Sequence, residues 1–409
     1  MDRRAFLKTV GGFSALASLG VYADELASNA PTLQRMLTRQ RFFSGFDGKT
    51  CKIQPSVAAD GEGLAVMGYQ KLLLSGSDVF HGQYLTRSTD NGRTWSEPQL
   101  AESLRDTQEN GLRVARYATV YYNRANRRWF GLGQACTYKT DREPNKDGTV
   151  EKPYSWPLYV PLDAAHGTYG EPRRLDFPLP YLGCLPFGQQ VELANGDVLV
   201  PCYYDRPDPE LSKRGTFDRV GCVVIVRYRF RADGLEVVAV GDPIVRNDLR
   251  RGVGEPSLVA FGGKFYLTLR SNETGFWAES EDGLHFGPLR PWSWTDGTSI
   301  GNRNTQQHWM CAEGRLHLAY TRVTPQNGHV FRNRAPIFLA RFDPERGGLV
   351  RESEFPLVPE LGARLGNFCC APCGPNGFWL VTAEWMQPLG CEKYGSDNSI
   401  WLVKLGENR

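Results

Sequence analysis

Residues 87 to 96, Arg-Ser-Thr-Asp-Asn-Gly-Arg-Thr-Trp-Ser, predict a tight turn between two β-strands. Asp90 is placed to accept hydrogen bonds from main-chain N–H groups inside the turn, and Gly92 can adopt the positive φ angle that such turns need. Trp95 supplies a large apolar side chain that can fold back over the turn. The stretch therefore predicts a β-hairpin and, by itself, no chemistry.

The alternation of short strands and turns continues along the whole chain from residue 49 onward. Short apolar or β-branched runs are separated by Gly, Asn, Asp and Pro, which is typical of all-β proteins. The 12% of aromatic residues, 44 Gly and 26 Pro agree with many strands and turns. One layout of strand, turn and strand returns about every fifty to seventy residues, with turns at Gly61, Asn126, Asn195, Gly262, Glu313 and residues 375–377. These six returns predict six four-stranded blades.

The spacing Ser-x-Asp-x-Gly-x-Thr-Trp from Ser88 to Trp95 resembles the Asp-box, the repeat that marks the sialidase superfamily. Weaker versions stand at residues 280–286 and 342–347. The resemblance covers roughly residues 50 to 405, and it implies an all-β, six-bladed β-propeller of the sialidase type. It is a likeness of fold, so the chemistry has to be sought in other residues.

The beginning of the chain predicts export. Residues 1–23 carry Arg3-Arg4 followed by Phe-Leu-Lys and an uncharged stretch, and they resemble a twin-arginine signal peptide. We expect residues 24–48 to be a lead-in segment and residues 49–409 to be the propeller, in a periplasmic or secreted protein without a membrane span after cleavage. The formal net charge of +3 gives no indication of nucleic-acid binding.

The ten cysteines give no strong prediction of a metal or redox site. Cys370 and Cys373 form a Cys-x-x-Cys pair, but the sequence has no second paired cluster and no His-x-His near it. Buried thiols and a local disulfide both remain open for this pair. We expect neither a metal nor an organic cofactor.

The strongest match to a catalytic pattern lies in the fourth predicted blade. Glu255 opens one predicted strand and Arg270 closes the next, and a hairpin would bring both residues to the same end of the blade. The resemblance implies that Glu255 polarises the nucleophile and that Arg270 binds a substrate carboxylate. Residues 332–341 resemble the stretch that supplies a further arginine of the family, with Arg334 as the best match.

The first predicted blade supplies three further candidates. Asp78 precedes the Ser88–Trp95 turn where the family places its acid/base catalyst, and the nearby His81 is an alternative proton-transfer group. Lys52 stands where sialidases carry the arginine of an Arg-Ile-Pro motif. A lysine keeps the positive charge but lacks the bidentate fork that matches a carboxylate.

A polar run opens the fifth predicted blade and is a candidate sugar-binding segment. Arg303, Gln307 and His308 can donate or accept hydrogen bonds, and Trp309 can stack on a sugar ring.

The family's tyrosine nucleophile has no counterpart in the matching stretch, residues 362–368. Tyr394 in a later loop and Glu384 at the end of the last strong strand are the alternatives. Without a tyrosine, direct displacement by water with inversion becomes an option, and the separation between the carboxylates would decide it.

These patterns lead to one main hypothesis and two alternatives. The main one is an exported glycoside hydrolase of the exo-α-sialidase type that removes a terminal acidic sugar, sialic acid or a relative, from a glycan. The alternatives are a propeller lyase that acts on uronic-acid glycans through His81 or His308, and a sugar-binding propeller without catalysis. The oligomeric state is left open.

Overall fold

The structure, a computed structural model, describes residues 32–406 except residues 77, 142, 187, 209–218, 303 and 374–376. The predicted signal peptide at residues 1–23 lies outside this range. The first described element is the short helix α1 (Thr32–Arg35). Four single-turn 3₁₀ helices occupy Glu102–Leu104, Phe331–Asn333, Arg351–Ser353 and Cys391–Tyr394. None of the helices in the described ranges is long and apolar enough to cross a membrane.

Thirty β-strands within the described ranges form six antiparallel sheets, as the turn pattern predicts. We call the sheets blades 1 to 6 in chain order. The strands are β1 (Leu37–Phe42), which joins blade 6; β2 (Thr50–Ala59), β3 (Ala65–Leu73), β4 (Phe80–Ser88) and β5 (Gln99–Leu100) in blade 1; β6 (Thr107–Glu109), β7 (Leu112–Asn123), β8 (Arg128–Thr140), β9 (Glu143–Pro144), β10 (Ser155–Asp163), β11 (Thr168–Tyr169) and β12 (Arg173–Arg174) in blade 2; β13 (Gly183–Pro186), β14 (Val191–Glu192), β15 (Val198–Pro207), β16 (Arg219–Phe230), β17 (Leu235–Val240) and β18 (Ile244–Val245) in blade 3; β19 (Gly254–Phe261), β20 (Lys264–Arg270), β21 (Gly275–Ser280) and β22 (Arg290–Pro291) in blade 4; β23 (His308–Ala312), β24 (Arg315–Tyr320), β25 (Ile337–Asp343), β26 (Gly348–Leu349) and β27 (Phe355–Val358) in blade 5; and β28 (Cys369–Cys373), β29 (Gly377–Ala383) and β30 (Ile400–Leu405) in blade 6.

The six blades form a closed ring around their first strands. β2 contacts β7, β10 contacts β13, β15 contacts β19, β19 contacts β23, β23 contacts β28, and β28 returns to β2. The predicted turns at Gly61, Asn126, Gly262 and Glu313 each join the first two long strands of a blade, and the turn at Asn195 joins the two-residue strand β14 to β15. Residues 375 and 376 of the sixth predicted turn lie outside the described residues. This arrangement is a β-propeller, in which each sheet buries both of its faces against its neighbours.

The ring is closed by strands from the two ends of the described chain. β1 pairs with β30, with Leu37 opposite Leu405 and Phe42 opposite Ile400. Residues 37–42 belong to the segment that the sequence analysis placed before the propeller, and here they form the outer strand of blade 6. Trp95 packs edge-on against Phe42, with the ring centroids 6.3 Å apart. Side chains from blade 1 therefore pack on the strand that closes the ring.

The Ser88–Trp95 turn is held by side-chain hydrogen bonds. The Ser88 hydroxyl donates to Asp90 Oδ1 at 2.7 Å and accepts the Gly92 N–H at 2.8 Å. Asp90 accepts the Thr94 hydroxyl at 2.6 Å and the Thr94 N–H at 2.9 Å, and these bonds lower the pKa of Asp90. Gly92 has a φ of 68°, and a Cβ there would lie 2.8 Å from the Trp379 ring.

A second turn repeats this geometry in blade 4 although its sequence is degenerate. The Ser280 hydroxyl donates to Asp282 Oδ1 at 3.0 Å and accepts the Gly283 N–H at 2.9 Å. His285 Nδ1 lies 2.6 Å from Asp282 Oδ2, in the role that the Thr94 hydroxyl has in the first turn. The hydrogen-bond pattern thus tolerates an imidazole in place of a hydroxyl.

Large aromatic side chains fill the space between blades 4 and 5. Trp277, Trp292 and Trp309 are fully buried and make edge-to-face contacts with Phe342, with centroids 5.0 to 5.5 Å apart. Each such ring buries about 150–250 Å² of surface. This packing fixes the two blades against each other and identifies Trp309 as a core residue.

Candidate functional site

A cavity of about 710 Å³ lies at one end of the propeller axis. Its wall includes residues of the first strands of several blades, among them Gln54 of β2, Tyr117 of β7, Gly183 of β13 and Glu255 of β19. Of the site residues predicted from sequence, Asp78, Glu255, Arg270 and Arg334 line this cavity. The structure therefore brings together four candidates that lie up to 256 positions apart in the chain.

Glu255 and Arg270 form an ion pair on the cavity wall. A β-bulge between Gly254 and Ser257 places Glu255 at a φ of 45°, a conformation that turns its side chain out of the regular strand pattern. Arg270 donates to one Glu255 oxygen and, at 2.6 Å, to the side-chain carbonyl of Asn304. Burial lowers the pKa of Arg270, but the nearby Glu255 carboxylate outweighs this effect and leaves the pKa raised.

Arg334 is a buried cation with no carboxylate within ion-pair distance among the described residues. Its side chain is 3% exposed, and its guanidinium donates to the main-chain carbonyl of Asn304, with 3.1 Å from Nε. Gly366 lies so close that a Cβ there would be 2.9 Å from Arg334 Cδ. Burial, followed by the charge of Arg270, lowers the pKa of Arg334 to about 9. An anion in the cavity would compensate this charge.

Arg364 is a second buried cation on the wall, and the sequence analysis did not single it out. Its guanidinium lies 3.5 Å from the centroid of the Trp385 ring and 4.8 Å from that of Phe331. Arg364 is 6% exposed, and its Nε has no hydrogen-bond partner within the described ranges. Burial lowers its pKa to about 10. Arg364 belongs to residues 362–368, which match the segment that carries the family's tyrosine, and no cationic site residue was predicted there.

Asp78 lies in the loop between β3 and β4, at a φ of 58°. Its main-chain carbonyl accepts the Tyr138 hydroxyl at 3.1 Å, which fixes the loop to blade 2. Its carboxylate acts electrostatically on Arg270, Arg332 and Arg364. The acidic side chain therefore faces the cationic wall of the cavity.

Blades 2 and 3 contribute an aromatic wall that the sequence analysis missed. Tyr154 donates its hydroxyl to Asp205, and the Tyr203 hydroxyl donates to Asp205 Oδ1 at 3.3 Å. Tyr117 is 4% exposed, and its hydroxyl has no partner among the described residues. Arg219 lies 3.7 Å from Asp205 and balances its charge. This wall offers hydroxyl and carboxylate groups suited to polar ligand atoms.

Gln54 occupies in blade 1 the position that Glu255 occupies in blade 4. Gln54 has a φ of 48°, lies in a bulge between Ile53 and Ser56, and is followed, like Glu255, by Pro and Ser. The Oε1 atom of Gln54 and the Oε2 atom of Glu255 are both buried without a partner within the described residues. This shared Gln/Glu-Pro-Ser pattern was the signal that could have identified Gln54 from sequence.

Lys52 does not line the cavity, although the sequence analysis assigned it to the substrate. Its Nζ donates to the main-chain carbonyl of Asn398 at 2.9 Å on the blade 6 side of the strand. Burial and the charge of Lys71 lower the pKa of Lys52 to about 8. The bulge that follows turns Gln54, and not Lys52, into the cavity.

The predicted sugar-binding run of blade 5 is packed inside the protein. Trp309 is fully buried and donates its indole N–H to the Ser257 carbonyl at 3.1 Å. Gln307 accepts the Thr268 hydroxyl at 3.0 Å, and His308 packs edge-on against Phe368 at 4.9 Å. Strand β23 begins at His308, so this part of the run packs between blades and not at the cavity. Arg303 lies outside the described residues.

His308 and His81 are also absent from the cavity wall. Burial lowers the pKa of His308 to about 3. His81 Nδ1 lies 3.6 Å from Asp106 Oδ2, and burial followed by the charge of Arg113 lowers the pKa of His81. In the described part of the chain, no histidine lines the cavity.

The two alternatives to the missing tyrosine lie elsewhere. Glu384 is 1% exposed and accepts hydrogen bonds from Arg41, from the Trp401 indole and from the Asp397 and Ser399 N–H groups. Tyr394 is exposed and packs at a tilt against His329, with the ring centroids 4.4 Å apart. Neither residue lines the cavity, so the structure gives them roles in blade 6 and its surface loop.

The cavity wall carries buried polar atoms that the described residues leave without partners. No group of three His, Cys, Asp or Glu side chains within the described ranges is close enough to hold a metal. Four polar atoms on the wall are buried without a hydrogen-bond partner among the same residues, namely Gln54 Oε1, Tyr117 Oη, Glu255 Oε2 and Arg364 Nε. Buried polar atoms normally have partners, so these four are candidates for contact with a ligand.

No protein-family model and no curated protein matches the sequence. Solved structures do match. A protein of unknown function from Dyadobacter fermentans has a TM-score of 0.61 at 12% identity, over 91% of this chain and all of that chain. A Hadza microbial sialidase has a TM-score of 0.59 at 13% identity, over 87% of this chain and 66% of that chain.

Trypanosoma rangeli sialidase has a TM-score of 0.55 at 14% identity, over 92% of this chain and 60% of that chain. The chain thus spans about two thirds or less of the length of these two sialidases. Identities this low establish the arrangement of the backbone and leave the reaction open. The chain has the β-propeller fold of these sialidases.

Proposed function

We propose that this protein is an exported glycoside hydrolase that removes a terminal acidic sugar, sialic acid or a uronate-like relative, from a glycan. The observation that carries the proposal is the pair of buried arginines on the cavity wall. Arg334 and Arg364 are nine-tenths buried or more and have no ion-pair partner within the described residues. A substrate carboxylate would supply the missing negative charge.

The cavity also holds the carboxylates that hydrolysis of a glycosidic bond requires. Asp78, on a loop facing the arginines, is the proposed acid that protonates the leaving oxygen. Glu255, held by Arg270 through one oxygen, is the proposed group that activates the nucleophile with the other. Residues 362–368 contribute Arg364 and Asn367 to the cavity and no tyrosine. An attacking water, or Tyr117 or Tyr203, which both lie near Glu255, is therefore the candidate nucleophile.

The lyase alternative has less support. It depends on His81 or His308 as the proton-transfer group, and neither lines the cavity. A lyase would release an unsaturated sugar without consuming water, so product analysis separates the two reactions. A binding protein without catalysis would hold the same acidic sugars and release nothing.

The test is a panel of glycans ending in acidic sugars, each paired with an analogue whose carboxylate is reduced to an alcohol. We expect release only from the acidic members, and a loss of about a hundredfold or more in Glu255→Gln. The matched control is Glu313→Gln, an exposed glutamate that also has a positive φ, 51°. Equal cleavage of the reduced analogues, or full activity in Glu255→Gln, would contradict the proposal.

A further inference from the structure

The side chain of Gln387 links two parts of the cavity that lie far apart in the chain. Its Oε1 accepts hydrogen bonds from Arg364 at 2.7 Å and from the Trp385 indole at 3.0 Å. Its Nε2 donates to the main-chain carbonyls of Leu74 at 3.1 Å and Gly76 at 3.0 Å. A glutamine amide has two donor hydrogens and two acceptor lone pairs, so Gln387 is fully used.

The two carbonyls that Gln387 holds come just before Asp78. Leu74 is four residues and Gly76 two residues upstream of that carboxylate. On the other side, the Tyr138 hydroxyl donates to the Asp78 carbonyl at 3.1 Å. The main chain around Asp78 is thus held by blade 6 through Gln387 and by blade 2 through Tyr138. The positive φ of Asp78, 58°, needs such support because the conformation is unfavourable for a residue with a Cβ.

The other end of the Gln387 amide holds a cation. The guanidinium of Arg364 lies near the Trp385 and Phe331 rings and donates a hydrogen bond to the Gln387 side-chain oxygen. One rigid amide group therefore fixes the position of Arg364 relative to Leu74 and Gly76. A shift at either end is transmitted through the same planar group.

We propose that Gln387 is a positioning residue that sets Asp78 in place relative to the arginine that holds the substrate anion. The inference rests on the proposed function, since it takes Asp78 as the acid and Arg364 as a carboxylate ligand. A displacement of about 1 Å at a reacting group costs up to about a hundredfold in rate. Removing the amide should therefore impair the step that needs a proton from Asp78 more than it impairs binding.

The test compares two glycosides of the same acidic sugar. In one, the leaving group is the hydroxyl oxygen of a second sugar, which needs protonation. In the other it is a nitrophenolate, which leaves without a proton. In Gln387→Met we expect kcat on the first to fall about tenfold or more, and kcat on the second by less than about threefold. Gln387→Glu keeps an acceptor oxygen for Arg364 and Trp385 and removes the donors to Leu74 and Gly76, so kcat should show the same leaving-group dependence.

Arg364→Met is the contrasting variant. It removes an anion ligand and leaves the donors of Gln387 in place, so KM should rise by a similar factor for both glycosides. If the Gln387 variants instead lose kcat/KM by the same factor on both glycosides, and the loss comes from KM, then Gln387 has no positioning role. That result overturns the inference.

Hydrogen exchange gives a readout that does not depend on activity. In Gln387→Met, amides in the peptide covering residues 74–80 should exchange faster than in the wild type, with residues 280–286 as the unchanged control segment. Unchanged exchange at residues 74–80 would overturn the inference. A wild-type protein that cleaves neither glycoside would contradict the hydrolase proposal alone, and the exchange result would then decide on Gln387.

Discussion

Glu255 shares its carboxylate between Arg270 and the cavity. One oxygen accepts a hydrogen bond from Arg270, which is paired in register with Gly254, the residue before Glu255. The other oxygen is buried and has no partner among the described residues. The ion pair therefore orients the carboxylate while one oxygen stays available to a ligand or a water molecule. This division agrees with the proposed role of Glu255 in activating a nucleophile.

The buried charge of Arg334 predicts an anion-dependent stability. Arg334→Met removes a cation that has no carboxylate partner within the described ranges, so the ligand-free protein should be unchanged or more stable by about 1 kcal/mol. Acidic monosaccharide added at a hundred times its Kd should stabilise the wild type by about 2.7 kcal/mol and the variant much less. Thermal melts with and without free sialic acid or glucuronate measure both effects.

The matched control for this experiment is Arg322→Met, because Arg322 is an arginine of the same blade whose guanidinium lies 2.6 Å from Glu354. This variant breaks an ion pair outside the cavity and should lower stability without changing the ligand effect. Equal ligand stabilisation of the wild type and Arg334→Met would contradict the assignment of Arg334 as an anion ligand.

The unpartnered hydroxyl of Tyr117 predicts a substitution that harms function and spares the fold. Tyr117→Phe removes a buried hydroxyl that has no partner among the described residues, so the free energy of unfolding should stay the same or rise slightly. The comparison is Tyr121→Phe, which removes a hydrogen bond of 2.7 Å to the Gly188 carbonyl and should cost about 1 kcal/mol. Urea unfolding of both variants gives the difference.

Activity measurements on the same two variants complete this prediction. Tyr117→Phe should lower kcat/KM on an acidic glycoside by about tenfold or more, since a hydrogen bond to substrate is lost. Tyr121→Phe should retain activity. A fully active Tyr117→Phe would remove this residue from the site.

The close packing of Gly92 predicts a large penalty for alanine. The Cβ of Gly92→Ala would lie 2.8 Å from the Trp379 ring, at a φ of 68°. Gly111 also has a positive φ, 78°, but a Cβ there would meet no atom within 4 Å. Gly111→Ala should therefore cost about 1 kcal/mol from backbone strain alone, and Gly92→Ala about 1–3 kcal/mol more from overpacking. Equal losses in urea unfolding would show that the turn is not packed as described.

The burial of His308 predicts a loss of stability in mild acid. The unfolded state takes up a proton on this residue near pH 6.5, whereas burial lowers the folded pKa to about 3. The unfolded state therefore binds more protons between these values, and stability falls as the pH drops from 6.5 towards 3. The slope from this residue approaches about 1.4 kcal/mol per pH unit.

Unfolding of His308→Gln at several pH values between 7 and 4 measures this contribution. The slope should become shallower by about one proton, while His317, whose pKa burial lowers to about 4, retains its own share. His166→Gln, at an exposed position, is the control for the substitution itself. A slope that is the same with and without His308 would contradict its burial as a neutral imidazole.

The part of the site that could be predicted from sequence is the part built from local patterns. Glu255 and Arg270 belong to one hairpin, and a hairpin fixes which ends of two strands meet. Asp78 was located by its distance from the Ser88–Trp95 turn. The six turns, one in each repeat, predicted six sheets because each turn residue has its own conformational requirement.

The rest of the site depends on which strands lie nearest to the axis, and local sequence does not contain that information. Tyr117 and Tyr203 lie on strands whose alternation shows two faces but not which end meets the cavity. The polar side chains that precede Trp309 and Gln307 predict a loop at the cavity, whereas both residues are buried between blades. Gln54 lines the cavity in place of Lys52 because a bulge shifts the side-chain pattern after Ile53.

The most direct test of the central claim is the identity of the product formed in water labelled with heavy oxygen. The purified protein is incubated with a glycan ending in an acidic sugar, and the released sugar is analysed by mass spectrometry. Hydrolysis predicts a saturated acidic monosaccharide that carries one heavy oxygen, formed by the wild type and not by Glu255→Gln. An unsaturated product without heavy oxygen, or no release from any acidic glycan, would contradict the account.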